Sequence, residues 1–538
     1  MSQNTTLDNT TTTTTATTTA TTNPSVLILG AGVIGLSTAY YLSSPHSNND
    51  DFAPSKISPR DITVLDTSPT LFACASGRAG GFLAKDWFGA ASSKLGELSF
   101  SLHRQLADAN DGRRRWGYAP SRSYSFERGT GEGGRKRGDD WLREGTSRVD
   151  AAAASSSSTS SSASAFTSDG DDGRRGNALP DGWWNCEGGT VELSSTGDST
   201  AQLDPHALCE FLLEEIKRRG VTVRHPVTPV RISQSADGQL GGLVISHKKK
   251  KNKSGIADAT DATDGSIEEE EEEEVLPCSH ILIAAGSWSS RLFQRLFPGS
   301  NYTLPVSSLA GHSIILRTPA YRPINDNNSN NNNIYQSSSD ITLGYNSNQH
   351  QHDTLHAVFA GIDGLDWHPE AFTRANGDIY LAGINSSTIP LPELATDVKA
   401  DDAEIQRLIA AARELIVQFS SGTGGCGGGG NNDNSIGKED EDGTRNDLTD
   451  GEANVIKQGL CHRPVTPAGK PILSRVPDSL LGGLDTKGDV GGGGVFVATG
   501  HGPWGISMSL GTGKVMAEML LGEQTTTVDV SQLGLQYT

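Results

Sequence analysis

The sequence predicts an α/β protein in two parts. One is a discontinuous domain around a mainly parallel sheet, with helices on both faces, assembled from both ends of the chain. The other is an α+β domain with a mainly antiparallel sheet. Three observations predict this. A short apolar strand, a glycine turn and a helix follow one another over residues 25–42. A second strand, glycine turn and helix close the chain over 494–521. Between them, 303–317 and 355–385 are rich in strand formers, with alternating segments such as Ile379–Gly383.

The elements follow in order. Ser25–Leu29 is a run of strand formers, Gly30–Gly35 the turn, and Leu36–Leu42 good helix material. Residues 43–60 are polar, carry Pro45, Pro54 and Pro59, and read as a loop. Asp61–Asp66 is a second strand with an acidic end. From Leu71 to about Leu106 a Gly-rich turn leads into a helical stretch. Asp204-Pro205-His206 opens a helix with proline in its first turn, and Gly220 stops it after Arg219. Val221–Val223, Val227–Ile232 and Gly241–Ser246 read as strands, and His280–Gly286 as a buried one. Residues 401–419 form a helix. Gly494–Gly500 is the last buried strand, and Ser509–Leu521 the closing helix.

The chain has 538 residues, but part of it cannot bury a core. Residues 5–22 are almost all Thr, 151–165 Ala and Ser, and 325–340 and 421–452 Gly, Asn and acidic. The domain plan is a tail at 1–24, a first part of the discontinuous domain at 25–127, and a low-complexity insert at 128–180 ordered only at Trp141-Leu142. The second part is 181–302, with a charged insert at 247–274. The other domain is 303–420, with an Asn/Ser-rich insert at 325–353. A low-complexity insert at 421–452, the last part at 453–523 and a tail at 524–538 complete it.

Net charge is −20, which argues against a nucleic-acid partner. The runs Lys248–Lys251 and Glu268–Glu274 are expected to solvate a loop. Six cysteines, at 74, 186, 209, 278, 426 and 461, make no C-x-x-C pair, which suits a reducing compartment and argues against structural zinc. No secretory pattern, arginine-rich leader or long apolar run is seen, so a soluble cytoplasmic protein without metal or membrane insertion is expected.

The chemistry lies in the turns. Gly30, Gly32 and Gly35 form G-x-G-x-x-G between strand and helix, the dinucleotide-binding fingerprint. The first glycine permits the turn, the second lets a pyrophosphate approach, and the third lets helix and strand pack closely. Val33 and Ile34 open the helix, whose free amides attract phosphate. Asp66, at the end of the second strand, suits ribose hydroxyls. It lies 31 residues past Gly35, beyond the usual spacing of about 20, and the polar insert at 43–60 accounts for the excess. Small residues at Ala284, Ala285 and Gly286, before Ser287-Trp288, let backbone pass close to a cofactor. At Ala498–Ile506 a strand enters a glycine turn and a helix follows, placing amides near Gly505 and Ile506 for the negative charge of a reduced flavin.

With these motifs in that order, the chain resembles the D-amino-acid oxidase and glycine/sarcosine oxidase-like (DAO) family of FAD-dependent oxidoreductases, in a eukaryotic branch of unassigned substrate. The resemblance covers 25–106, 199–246, 280–318, 355–419 and 455–522. It rests on the N-terminal turn with Asp66, on Ala75–Gly81, on Ala285–Trp288, and on Arg463-Pro464-Val-Thr-Pro with the closing Gly-His…Gly-Ile turn. It implies an FAD-binding Rossmann-like domain with the second domain covering the flavin. Ser76, Gly77, Ala79, Gly80 and Gly81 would follow the pyrophosphate and flavin. Val227 would offer backbone contacts to adenine, with Val230 the competing register. Trp288 would flank the cofactor, and Gly502, Trp504, Gly505 and Ile506 would hold the flavin's pyrimidine edge. Arg463 matches the position that holds a substrate carboxylate, a task suited to a planar, always charged guanidinium; bracing the domain interface is its other reading. His312 either faces the flavin or is satisfied structurally.

Two departures stand out. Ala468 replaces an acid frequent in relatives, and Phe82–Trp87 is unlike the well-characterised amine oxidases. The implied reaction is oxidation of a C–N bond in an amine or amino acid, by hydride transfer to flavin N5, with reoxidation by oxygen. No catalytic acid or base is assigned. The rival readings are a flavin dehydrogenase using an electron carrier, and an FAD-stabilised scaffold or trafficking protein with little turnover.

Overall fold

Val26–Leu29 (β1) is apolar at every position and buries all four side chains, so it needs cover on both faces. The computed structural model describes residues 25–44, 57–129, 182–250, 269–322, 354–419, 455–486, 493–523 and 526–537. The N-terminal tail, most of insert 128–180 with Trp141-Leu142, and the inserts at 325–353 and 421–452 lie outside the described residues.

With strands and helices numbered along the chain, β1 sits inside a six-stranded sheet. Its order is β17 (Ile472–Arg475), β18 (Gly494–Thr499), β11 (His280–Ile283), β1, β2 (Ile62–Leu65) and β7 (Thr222–Arg224). All pairings are parallel except the edge pair β17–β18. Alternate side chains serve two cores. Val26, Ile28, Val64 and Leu282 face helices α1 (Val33–Leu42), α3 (Ala90–Asn110), α5 (Pro205–Arg219) and α8 (Gly505–Leu520). Leu27, Leu29, Ile283 and Val497 face the other way, toward α6 (Ser289–Leu296) and a three-stranded antiparallel sheet. That sheet is β8 (Thr228–Gln234), β9 (Leu240–Lys250) and β10 (Glu269–Pro277). The second face is therefore covered largely by a sheet, because Leu243 and Ile245 of β9 offer an apolar face of their own.

The charged runs differ from expectation as well. They are not wholly loop: the β9–β10 ladder continues through them, with Lys248 opposite Glu271, Lys249 opposite Glu270 and Lys250 opposite Glu269. For Lys248 and Glu271, opposite charges in register support a ladder by roughly 0.2–1 kcal/mol.

A nine-stranded sheet forms the other layer. It runs β16 (Val455–Val465), β12 (Ser307–Leu316), β15 (Ile379–Ser386), β14 (Glu370–Thr373), β13 (Leu355–Ile362), β4 (Ala119–Arg128), β6 (Thr200–Gln202) and β3 (Phe82–Ala84), with β5 (Thr190–Ser195) on β4. Only β13–β4 is parallel. Its strands are not confined to 303–420: β3 to β6 and β16 come from segments that the sequence places with the discontinuous domain. β3 and β6 have three residues each, too few to show a period. One face, with Val358, Ala371 and Leu381, packs on α7 (Asp402–Leu415). The other, with Phe359, Phe372 and Tyr380, joins the core beneath the helices. Two short helices, α2 (Ala75–Arg78) and α4 (Gly112–Trp116), complete the set. The last segment is docked: Thr527 hydrogen-bonds to the Glu518 carboxylate, and Val530 and Leu533 are buried. Among the described residues no helix is long and apolar enough to cross a membrane.

α8 is buried along almost its whole length. A Cβ on Gly513 would lie 2.5 Å from the Ser37 backbone of α1, and one on Gly511 2.9 Å from the Leu95 carbonyl of α3. Glycine costs a helix about 1 kcal/mol against alanine. Two within one turn are offset by the close approach of α1 and α3. Two imidazoles brace the same helix. His103 Nε2 donates to the Ile506 carbonyl at 2.9 Å, and His501 Nε2 lies 3.0 Å from Thr512 Oγ1. Burial pushes His103 down to about 4 and His501 down to about 3.

Two outcomes are expected. Gly513→Val, though a better helix former, should lose about 1–3 kcal/mol by overpacking; an unchanged urea midpoint contradicts the close α1–α8 contact. The histidines give stability a pH dependence. The unfolded chain protonates them near 6.5, whereas the folded chain keeps them neutral to about 4 and about 3. The unfolded state therefore binds more protons below 6.5, and stability falls with pH by about 2 kcal/mol per histidine at pH 5. Urea midpoints at pH 7.5 and 5 should show this, and the H103Q/H501Q variant should flatten it. An equal slope in that variant contradicts the assignment.

Candidate active site

The strands of the parallel sheet end in phase. Leu29 pairs with Leu65 and with Ile283, and Ile283 pairs with Val497. Their carboxyl ends open on one crevice, where ligands of open α/β sheets bind, and a cavity lies there.

The first turn forms one wall. Gly30 has φ +118°, and a Cβ there would sit 2.5 Å from the Ala284 carbonyl. A Cβ on Gly35 would sit 2.0 Å from the Gly30 carbonyl, so that glycine serves the strand–helix contact and does not line the cavity. Gly32, Val33 and Ile34 do line it, at the positive end of a ten-residue helix whose N-cap has no side-chain acceptor. Ser76 Oγ accepts from the Val33 amide at 3.0 Å. Asp66 lines the cavity, and its oxygens accept from the Ala31 and Ser68 amides, both at 2.8 Å. Burial raises its carboxyl above the usual range while the two amides pull it down. Each oxygen keeps further acceptor capacity.

The short helix α2 and the turn after it form the next wall. Ser76, Ala79 and Gly80 line the cavity; Gly77 and Gly81 do not, but shape the loop. A Cβ on Gly77 would meet the Phe72 carbonyl at 2.2 Å, and one on Gly81, at φ +87°, the Leu203 carbonyl at 1.9 Å. Arg374 pins this loop from the large sheet, donating to the Ala79 carbonyl at 3.3 Å and to Asp204 at 3.2 Å.

Ala285, Gly286 and Trp288 line the cavity too. Gly286 has φ +53°, and a Cβ there would meet nothing within 4 Å. Thr499 Oγ1 donates to the Gly286 carbonyl, and Ser287 Oγ to the His462 carbonyl, each at 3.0 Å, tying this turn to β18 and β16. The Trp288 indole donates to the Pro392 carbonyl at 2.9 Å, and Arg291 to Pro392 and Leu391. Together they hold a strap over the cavity, with Leu394 and Ala395 in its wall.

Gly502, Gly505 and Ile506 line the far side, at the start of α8, which also has no side-chain cap. Trp504 does not line it; its ring packs edge-on against Phe88 at 5.0 Å. His501, being neutral, adds no charge here, so the backbone supplies the positive field. Two helix starts whose N-cap residues bring no side-chain acceptor, open space at Gly286 and a carboxylate with spare acceptor positions fit a flavin dinucleotide.

One sequence expectation changes, and of the two readings open for His312 the structural one holds. Val227 does not line the cavity: its amide donates to the Asp66 carbonyl at 2.9 Å and its side chain joins the core with Leu65 and Ile245. Thr228 and Pro229 line it in its place. His312 is structural, its Nε2 accepting from the amide of Asp401, the N-cap of α7, at 3.1 Å.

Arg463 projects from β16 into the cavity wall. Its Nη1 donates to Asn385 Oδ1 at 2.5 Å, and a Cβ on Gly311 would lie 2.6 Å from Nη2, so that glycine makes room for the guanidinium. Among the described residues Arg463 makes no ion pair. Glu370, Phe372, Tyr380, Cys461 and His462 share this end and were missed from sequence. The alternation of Glu370 with Phe372 was the one available signal, on a strand of four residues.

A family model described as DAO, FAD dependent oxidoreductase, matches residues 25–519. The Schizosaccharomyces pombe protein C1F5.03c, named as a candidate oxidoreductase, is 23% identical over 95% of this chain and 97% of its own. The glycine oxidase of Geobacillus kaustophilus superposes with a TM-score of 0.54 at 16% identity, covering 96% of this chain and 99% of its own. The amino acid oxidase NikD of nikkomycin biosynthesis gives 0.55 at 13%, covering 95% and 97%. At such identities these two show a shared fold. The family match spans nearly all of the described residues, and the chain belongs to the DAO family of FAD-dependent oxidoreductases.

Proposed function

We propose that this oxidoreductase acts on the C–N bond of a small amino acid or related amine, with oxygen as final acceptor. The observation that carries the reading is Arg463: a half-buried guanidinium in the cavity wall, positioned by Asn385 and Gly311, with no carboxylate of the described protein in ion-pair contact. A planar cation so held suits a substrate carboxylate bound through two parallel hydrogen bonds. Glycine oxidase and NikD, which share the fold, act on amino acids by name.

FAD, when bound, supplies the hydride acceptor and passes the electrons to oxygen. The protein's part is placement and field. Asp66 is assigned to the adenosine ribose, the start of α1 to the pyrophosphate, and the start of α8 to the pyrimidine edge, where its amides stabilise developing negative charge. Phe372 and Tyr380 stack with centroids 5.9 Å apart in the cavity wall, and Phe82 stacks behind Phe372 at 5.6 Å. Arg463 orients the substrate against that wall. No side-chain base is assigned.

Arg463→Ala should keep FAD and its visible absorbance. It should weaken the amino acid that bleaches the flavin by roughly 100-fold, since two charge-assisted hydrogen bonds are lost. Arg463→Lys should recover only part of this. Anaerobic titration of the flavin band, with peroxide release in air, measures both. Unchanged affinity in Arg463→Ala contradicts the reading.

A further inference from the structure

Arg463 stands on β16, the edge strand of the large sheet, yet its guanidinium is caught two strands away. The order is β16, β12, β15, with neighbouring strands about 4.8 Å apart. Asn385 of β15 pairs with Gly311 of β12, which in turn pairs with Cys461 of β16. The arginine passes over Gly311, the one position of this row without a side chain. A Cβ there would come 2.6 Å from Nη2 and 3.0 Å from Asn385 Oδ1.

The group that catches it is neutral. Arg463 Nη1 donates to Asn385 Oδ1 at 2.5 Å, and Asn385 Nδ2 donates to the Gly383 carbonyl at 3.1 Å. A guanidinium only donates and a carbonyl only accepts. The amide therefore has one orientation here, since turning it over would lose both bonds. Its oxygen occupies one of the five guanidinium N–H groups and cancels none of the charge. Burial works against that charge, while Cys461, Tyr380 and Glu370 nearby support it. A carboxylate in place of this amide would act differently. It could not donate to Gly383, and both its oxygens would turn to the guanidinium, in the paired geometry that a substrate carboxylate needs.

We propose that Asn385 is a positioning residue: its neutral amide aims Arg463 and leaves the guanidinium's charge for the carboxylate of the substrate. The proposal rests on the reading of Arg463 given above. It goes further in naming what keeps that residue available.

The test uses full-length holoprotein with glycine and acetate as carboxylate probes and glycinamide as the matched probe without the carboxylate. Dissociation constants are read anaerobically from the flavin visible spectrum. Asn385→Ala, which frees the guanidinium but keeps its charge, should weaken glycine and acetate by about 3- to 10-fold. Asn385→Asp, the closer match in shape, should weaken them by about 100-fold, as much as Arg463→Ala does, and leave glycinamide unchanged or tighter. A merely structural role predicts the opposite order, with aspartate the milder change. Should Asn385→Asp lose FAD, Asn385→Ala decides: glycine must weaken while glycinamide holds, and equal loss of both, or no loss, overturns the role. An Asn385→Asp protein that binds glycine and acetate at least as tightly as Asn385→Ala overturns the role of Asn385, and leaves Arg463 in place if Arg463→Ala still weakens them. Unchanged affinity in Arg463→Ala, or a photoreducible flavin that none of these probes perturbs, overturns both.

Discussion

The site depends on one contact, the backbone of Gly30 lying against the carbonyl of Ala284. No other residue fits there, since a Cβ would come within 2.5 Å of that oxygen and φ is +118°. The contact locks the first glycine turn to the end of β11, and Thr499 locks β11's turn to β18. Three strand ends from residues 29, 283 and 499 thus become one cradle. The long inserts do not disturb it, because loop-closure entropy grows only slowly with loop length, by about 0.6 kcal/mol per doubling.

The cradle's electrostatics come from backbone more than from side chains. α1 and α8 both begin at the cavity, α8 without a side-chain cap and α1 with its Val33 amide taken by Ser76 Oγ, an arrangement that favours an anionic guest. α8 is held by burial, by small residues that admit α1 and α3, and by two neutral histidines. A charged imidazole at His501 would supply positive charge more cheaply in geometry, but burial keeps it neutral. What this loses in field it gains in rigidity, because His501 bridges the turn to Thr512.

The cofactor half was largely legible in the sequence, since its constraints are local. Gly30, Gly32, Gly35 and Asp66 sit at fixed offsets from apolar runs, and Gly502 to Ile506 repeat the pattern. Val227 was placed one residue from the cavity wall because a strand entry has no side-chain signature when the contact is through backbone. The substrate half was less legible. Arg463 was found through its Pro-x-Thr-Pro neighbourhood, whereas Glu370, Phe372 and Tyr380 meet only through pairings between β13, β14 and β15, which no spacing in the chain announces. The charged runs read as loop because composition reports solvation but not register, and the register of lysines against glutamates makes them a ladder.

The most direct test of the account is the flavin content of the purified protein, read from its visible spectrum before and after incubation with FAD. The account predicts stoichiometric FAD, held without added ligand and lost when Gly32 is replaced by valine, whose side chain would crowd Ser76 Oγ in the cradle. A colourless protein that also refuses added FAD would contradict it.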